Sequence, residues 1–362
     1  MKKVVVGLSG GVDSSVAPYL LQKKGYDVSG VMLGLEPKEC GNRCCKEEPA
    51  RLVCQKLGIP FEVVDVSLEF KKYVIDYFKR ELEAGRTPNP CIPCNCFIKF
   101  GLFFDILDQK YPNHFLATGH YVRVHSTPAL PCPSAGRRQA GVADSTRRVE
   151  TETVYRLLRG KNRAKDQSYF LHTLTQEKLA RLVFPLGEVE SKGEVRSIAK
   201  KLGLKTAEEP ESQDICFQMP KVKAKPGAIV DTSGKKLGEH KGLPFYTIGQ
   251  RGGLGVSFAT PLYVISKNAR ENSLILGPKE VLYKNAIQVK NVNLISGDYT
   301  PREFEASVAV RYHAKEVAGV VVLKSGKKAT VRLEEPALSP TPGQFAVFYQ
   351  GEQCLGGGII GD

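Results

Sequence analysis

The chain opens on an unbroken apolar run, Val4 to Val6, followed by a glycine turn and a segment whose apolar positions recur at helical spacing as far as Gly25. A second apolar run, Val28 to Leu33, comes next, so the pattern predicts a buried strand, a helix and a second strand, which is a βαβ unit. The segment PARLVCQKLGIPFEVVDV, beginning at Pro49, repeats helix then strand. HFLATGHYVRV, beginning at His114, adds a strand that runs into a Gly-His turn. The first part of the chain, about 200 residues, therefore predicts a parallel sheet covered by helices, a fold that takes ligands at the carboxyl ends of its strands.

From about residue 226 the pattern changes, with turn residues every few positions between short apolar runs and, from residue 286, β-branched strands separated by Gly, Pro and Asn turns. The expected fold class is α/β: a parallel-sheet domain over residues 1–208, a central β domain over 209–283 and a C-terminal barrel-like β domain over 284–362. Within the first, residues 126–153 hold prolines, small residues and arginines without an apolar period, which predicts an exposed, mobile insertion in which Cys132 is incidental.

Composition narrows the class. At 362 residues with 42% hydrophobic content the chain can build two or three cores. It shows no signal-like segment and no run of 18 apolar residues, so the expectation is a soluble, cytoplasmic protein with no membrane partner. Ten cysteines in a reducing compartment point to metal or redox chemistry where they cluster, and to packing where they are scattered, as at Cys54 and Cys354. A net charge of +14 favours a polyanionic partner such as nucleic acid.

Two stretches carry candidate chemistry. In GLSGGVDSS, residues 7–15, glycines let successive backbone N–H groups converge, serines add donors and the next helix points its positive end at the same place, so the loop can cradle phosphate. It lacks the lysine of a kinase-type phosphate loop. In CIPCNC, residues 91–96, three cysteines follow the proline-rich segment TPNP. A second thiol group, CGNRCC, holds Cys40, Cys44 and Cys45, which suit either a surface loop or a zinc or sulfur-relay role.

Taken in order, GLSGGVDSS, TPNP with Cys94-Asn95, TGHY, KDQSYFLH, ESQDICF, YTIGQRGGLG and PGQFAVFY with LGGGII resemble the tRNA-specific 2-thiouridylases. These are PP-loop enzymes with an adenine nucleotide alpha hydrolase-like domain, and the resemblance runs from residue 4 to residue 360 apart from the insertion and a shortened stretch after Phe217. It implies a tRNA-uridine 2-sulfurtransferase: ATP, with Mg2+, adenylates the carbon-2 oxygen of the wobble uridine, and sulfur then displaces AMP. The partners implied are tRNA and a sulfur donor such as a cysteine desulfurase, a sulfur relay protein or free sulfide.

Residue by residue, the resemblance implies a nucleotide site of Gly7, Leu8, Ser9, Gly10, Gly11, Val12, Asp13 and Ser14, with Leu33 and Gly119 at the adenine or ribose. Asp13 is implied to help hold magnesium and pyrophosphate. Asn89, Pro90 and Cys91 are implied to face the target base, and His120, Lys165, Asp166, Gln167, Arg311, Tyr312 and Gln344 to contact tRNA. In the common form of the family, a cysteine matching Cys216 carries a persulfide and one matching Cys94 frees sulfide from it or resolves it as a disulfide. Such thiols are expected to have lowered pKa values.

One departure changes this expectation. Many members have Asp where this chain has Cys91, and Cys91, Cys94 and Cys216 together make the three-thiolate ligand set of a [4Fe–4S] cluster with one open iron. The cluster ranks first, the persulfide with a Cys94–Cys216 disulfide second, and zinc third, because zinc lacks an obvious fourth ligand and Cys96 is awkwardly spaced. Two other functions stay open: a PP-loop synthetase or amidotransferase of the argininosuccinate or GMP kind, which needs neither thiol motif, and a non-catalytic RNA-binding protein.

Overall fold

The computed structural model describes residues 1–35, 47–128, 153–208, 215–296 and 301–361. Cys40, Cys44, Cys45 and Cys132, and the stretch 129–152 of the expected insertion, lie outside these residues.

Val4, Val5 and Val6 have no solvent exposure because their strand, Lys3–Leu8, lies inside a five-stranded parallel sheet with helices packed on it. Across the sheet the strands run Phe61–Asp65, Asp27–Gly34, Lys3–Leu8, Phe115–Thr118 and Leu182–Val183. The chain proceeds outward on one side of Lys3–Leu8 and then returns to its other side with Phe115–Thr118. The switch point therefore lies between these two strands, and their carboxyl ends open the crevice where such folds bind ligands.

The last third closes into a barrel. Strand Tyr283–Leu294 pairs with both Lys328–Leu338 and Gln353–Ile360, which joins the ends of an antiparallel set that also contains Val317–Lys324, Glu303–Ala309 and Phe345–Gln350. Closure removes the exposed edges that an open sheet would carry. Val289, Val308, Val331 and Phe348 fill its interior. A separate four-stranded sheet from residues 227–277 is built around Ile229, Val264, Leu274 and Leu276.

One pairing departs from the sequence expectation. Val122–Pro128 and Thr153–Arg159 form a hairpin, and its second strand continues the barrel sheet through Leu157 and Leu158 opposite Cys354 and Gln353. Residues 126–128 and 153 thus belong to strands rather than to an insertion. The barrel and the helical layer consequently share a core, in which Phe70, Phe103 and Leu171 join Phe345, Val347 and Cys354.

Candidate active site

The glycine loop leaves strand Lys3–Leu8 at the switch point and enters helix Val12–Lys23. Gly10 takes φ +75°, the left-handed region open to glycine. Ser14 Oγ ties the loop together: it accepts from the Ser9 amide at 3.1 Å, lies 3.0 Å from Ser9 Oγ and donates to the Gly11 carbonyl at 3.0 Å. No side chain caps the first amides of the helix. The loop can approach the next strand only because residue 119 is glycine, since a Cβ there would sit 2.9 Å from the Ser14 amide nitrogen.

A cavity of about 210 Å³ opens above the loop, lined by Gly7, Leu8, Ser9, Asp13, Ser14, Leu33 and Gly119 from the expected nucleotide set. Ligand cavities commonly span roughly 300–1,000 Å³, so this one is large enough to enclose only part of a ligand of nucleotide size. Val12 turns inward instead, into a cluster with Val16, Val195 and Ala199. His120 and Gln167, expected among the tRNA contacts, line the same cavity. His120 is buried, with Thr118 Oγ1 2.7 Å from its Nδ1, and burial first, then the Lys99 charge, holds its pKa well below the usual histidine range. Its ring is neutral at pH 7.

Cys91, Cys94 and Cys216 lie near enough to Lys99 or to one another for their charges to interact. Asn89 Oδ1 accepts from the Cys91 amide at 3.0 Å and starts a short helical turn, Cys91–Pro93, which passes into the π-helical segment Cys94–Leu102. Winding with i to i+5 bonds puts Lys99 on the face of Cys94, and π-turns of this kind recur at functional sites. Asn95 Nδ2 donates to the Cys91 carbonyl at 3.0 Å, while its buried Oδ1 has no partner. Cys216 arrives on an irregular segment fixed by Phe217, whose buried ring packs edge-on against Phe70 and Phe78 at 6.1 and 5.5 Å. Burying such a ring contributes about 2–3 kcal/mol, enough to hold the preceding cysteine against the cluster that contains Cys94.

The expectation of a lowered thiol pKa fails at Cys94, and Cys91 is shifted the same way. Burial pushes Cys94 up to about 12; Lys99 opposes this, and Cys216 and Cys91 add to it. Cys91 keeps an exposed edge, yet the protein crowded around its sulfur raises its pKa too, again against Lys99 and with Cys216. The helix start and the lysine are outweighed by desolvation. All six described cysteines are thiols, and among the described residues no three His, Cys, Asp or Glu side chains stand close enough to hold one metal ion.

The remaining expected residues lie further out. Asp166, Arg311 and Tyr312 line a larger basin of about 660 Å³ between the hairpin and the barrel, with Arg159, Arg163 and His313. Asp166 is buried and accepts from Ser168 Oγ at 2.7 Å and from the Gly160 amide at 3.0 Å, which makes it a brace for the turn that carries Lys165 and Gln167. Arg311 is exposed, and Tyr312 stacks on His313 with ring centroids 3.9 Å apart. Gln344 lies beneath the TPNP segment. Sequence reasoning missed Lys99 and Tyr121, although both fall within or beside quoted motifs, and Lys192, which belongs to none.

Residues 2–220 match the tRNA methyl transferase HUP domain, 217–278 the tRNA methyl transferase PRC-barrel domain and 284–360 the aminomethyltransferase beta-barrel domain. A protein of Roseiflexus castenholzii named tRNA-specific 2-thiouridylase MnmA is 40% identical over 99% of both chains. One of Synechococcus with the same name is 40% identical over 99% of this chain and 97% of its own. Among solved structures, the U34-tRNA thiolase NcsA of Methanococcus maripaludis with its [4Fe–4S] cluster is 19% identical, covers 59% of this chain and 60% of its own, and has a TM-score of 0.34, too low to bear on the cluster question.

Proposed function

Since the chain belongs to the tRNA-specific 2-thiouridylase family, a family of tRNA sulfurtransferases, we propose that it replaces the carbon-2 oxygen of the wobble uridine of tRNA with sulfur at the expense of ATP. The observation that carries this reading is Lys99, which lines the cavity above the glycine loop and acts electrostatically on both Cys91 and Cys94. Oxygen activation and sulfur delivery thereby share one wall.

A uridine carbonyl is a poor electrophile with a poor leaving group. The loop residues Ser9 to Ser14 receive the phosphates on converging amides and hydroxyls, and Asp13 is the carboxylate suited to magnesium. The uridine O2 attacks the α-phosphorus, the bond to the β-phosphate breaks, pyrophosphate leaves and the N3 proton is lost. Sulfur then attacks carbon 2 and AMP departs with the old oxygen. The Lys99 ammonium offsets the charge that develops on the departing phosphate. His120, neutral and held by Thr118, contributes hydrogen bonding rather than charge.

For the sulfur step, the donor set favours a cluster. Cys91, Cys94 and Cys216 lie within electrostatic reach of one another in a largely apolar setting, a costly arrangement for bare thiolates that a bound cationic centre relieves. Three thiolates match the ligand set of such a cluster, whereas zinc would need a fourth ligand. A [4Fe–4S] cluster on these three would supply an open iron as the place for sulfide. Either route needs Cys94 as a thiolate, which burial opposes and a bound cluster would relieve.

In the basin Arg159 is paired with Glu316 at 2.6 Å and Arg163 with Glu352 at 3.2 Å, so the exposed Arg311, beside the stacked Tyr312 and His313, is the guanidinium assigned to RNA. The test of the proposal is pyrophosphate release from ATP with and without tRNA. Release that requires tRNA supports it, and release indifferent to tRNA argues instead for a synthetase acting on a small molecule.

A further inference from the structure

Asp13, the carboxylate of the glycine loop, is already engaged. Lys192 Nζ lies 2.5 and 2.6 Å from its two oxygens, and the Tyr121 hydroxyl donates to Oδ1 at 2.6 Å. The ammonium also lies 5.7 Å from the Tyr121 ring centroid. Lys192 opens helix Lys192–Lys201, whose N-cap Ser191 accepts from the Glu194 amide at 3.3 Å. Val195 and Ala199 of that helix pack with Val12 and Val16 beside the loop. A rigid helix pair therefore presents an ammonium to the loop from 179 residues away in sequence.

Stability does not account for this pair. The Lys192 and Asp13 side chains are only 15% and 33% exposed, and an ion pair so far out of water roughly breaks even against apolar packing. Phosphate-binding loops of the kinase kind carry their own lysine for the terminal phosphates, and this loop has none.

We propose that Lys192 is a pyrophosphate-binding residue: Asp13 holds its ammonium beside the loop, and when ATP and magnesium bind, the carboxylate is released to the metal and the ammonium to the terminal phosphate oxygens. This rests on the reading of the glycine loop as the ATP site. The exchange keeps the charge of the loop nearly balanced in both states, which avoids leaving an unpaired charge in a half-buried place.

Calorimetric titration of the whole protein with inorganic pyrophosphate plus Mg2+, and separately with AMP, tests it. Lys192→Met is expected to weaken pyrophosphate binding about ten- to a hundred-fold, the worth of a charge-assisted contact, while AMP affinity stays within about twofold. Lys192→Arg is expected to recover most of the loss. To separate direct contact from the harm of an orphaned carboxylate, the Asp13→Asn/Lys192→Met double variant is compared with Asp13→Asn alone, and the deficit must persist. Equal pyrophosphate affinity with and without the lysine, in variants whose thermal melts match the parent, overturns the inference and leaves the ATP site standing. A parent protein that binds neither AMP nor pyrophosphate overturns both.

Discussion

Gln344 Nε2 donates to the Thr87 carbonyl at 3.0 Å, so a residue of the barrel holds the segment that ends at Cys91. The Thr87 amide donates in turn to the Pro342 carbonyl at 3.0 Å, which makes the contact two-sided. Gln344→Ala leaves a part-buried carbonyl without its donor and loosens Asn89, Pro90 and Cys91. The expected result is thiolation slowed about three- to ten-fold, the worth of one hydrogen bond, with tRNA affinity within about twofold of the parent. A loss of tRNA affinity in filter binding would instead give Gln344 the RNA contact that the sequence resemblance implies.

The proposed cluster requires the three site thiols to act as a set. Protein purified without oxygen is expected to be brown with about four irons per chain, and Cys91→Ala, Cys94→Ala and Cys216→Ala are each expected to lose both colour and thiolation. Cys96→Ala, outside the set, keeps both. A colourless, iron-free protein fully active with a persulfide donor, with Cys91→Ala still partly active, returns the chemistry to Cys94 and Cys216 alone.

Binding of tRNA to a +14 chain releases condensed counterions, so its affinity is expected to fall steeply between low and physiological salt. Arg311→Ala is expected to weaken binding and reduce the logarithmic salt slope by about one, since the exposed guanidinium lines the basic basin. An unchanged slope removes Arg311 from the phosphate contacts.

His172 predicts an acid-sensitive core. Its ring is fully buried, its Nδ1 lies 2.8 Å from the Tyr169 carbonyl, and its Nε2 has no partner. Burial lowers its pKa from 6.5 to about 4. Below pH 6.5 the unfolded chain takes up a proton that the folded chain refuses, so stability present above that pH is lost as the pH falls towards 4. The loss amounts to ~3 kcal/mol for this group. Denaturant melts of His172→Gln should show a shallower decline over this window, and an identical decline in both proteins would remove His172 as its source.

The buried strand Val4 to Val6, the helix after it and the loop between them were legible because local pattern and tertiary placement agree there. The thiol loop was legible as a motif but not in its electrostatics, since burial of Cys94 depends on Phe103, Ile98 and other core residues that no spacing reveals. The pairing of Leu157 with Cys354 joins strands nearly 200 positions apart, and nothing local marks it. Lys192 escaped notice for the same reason. Its meaning lies in Asp13, and a lysine at a helix start reads from sequence as an ordinary solvated charge.

The proposed reaction has one chain spend ATP to put sulfur on a tRNA uridine. The most direct measurement is nucleoside mass analysis of tRNA incubated with the protein, Mg2+, ATP and sulfide, with AMP counted in the same reaction. The expected product is a uridine heavier by the exchange of oxygen for sulfur, confined to the wobble position, with one AMP formed for each. AMP formed without any thiolated nucleoside, from a protein shown to be folded and loaded with its cofactors, would contradict it.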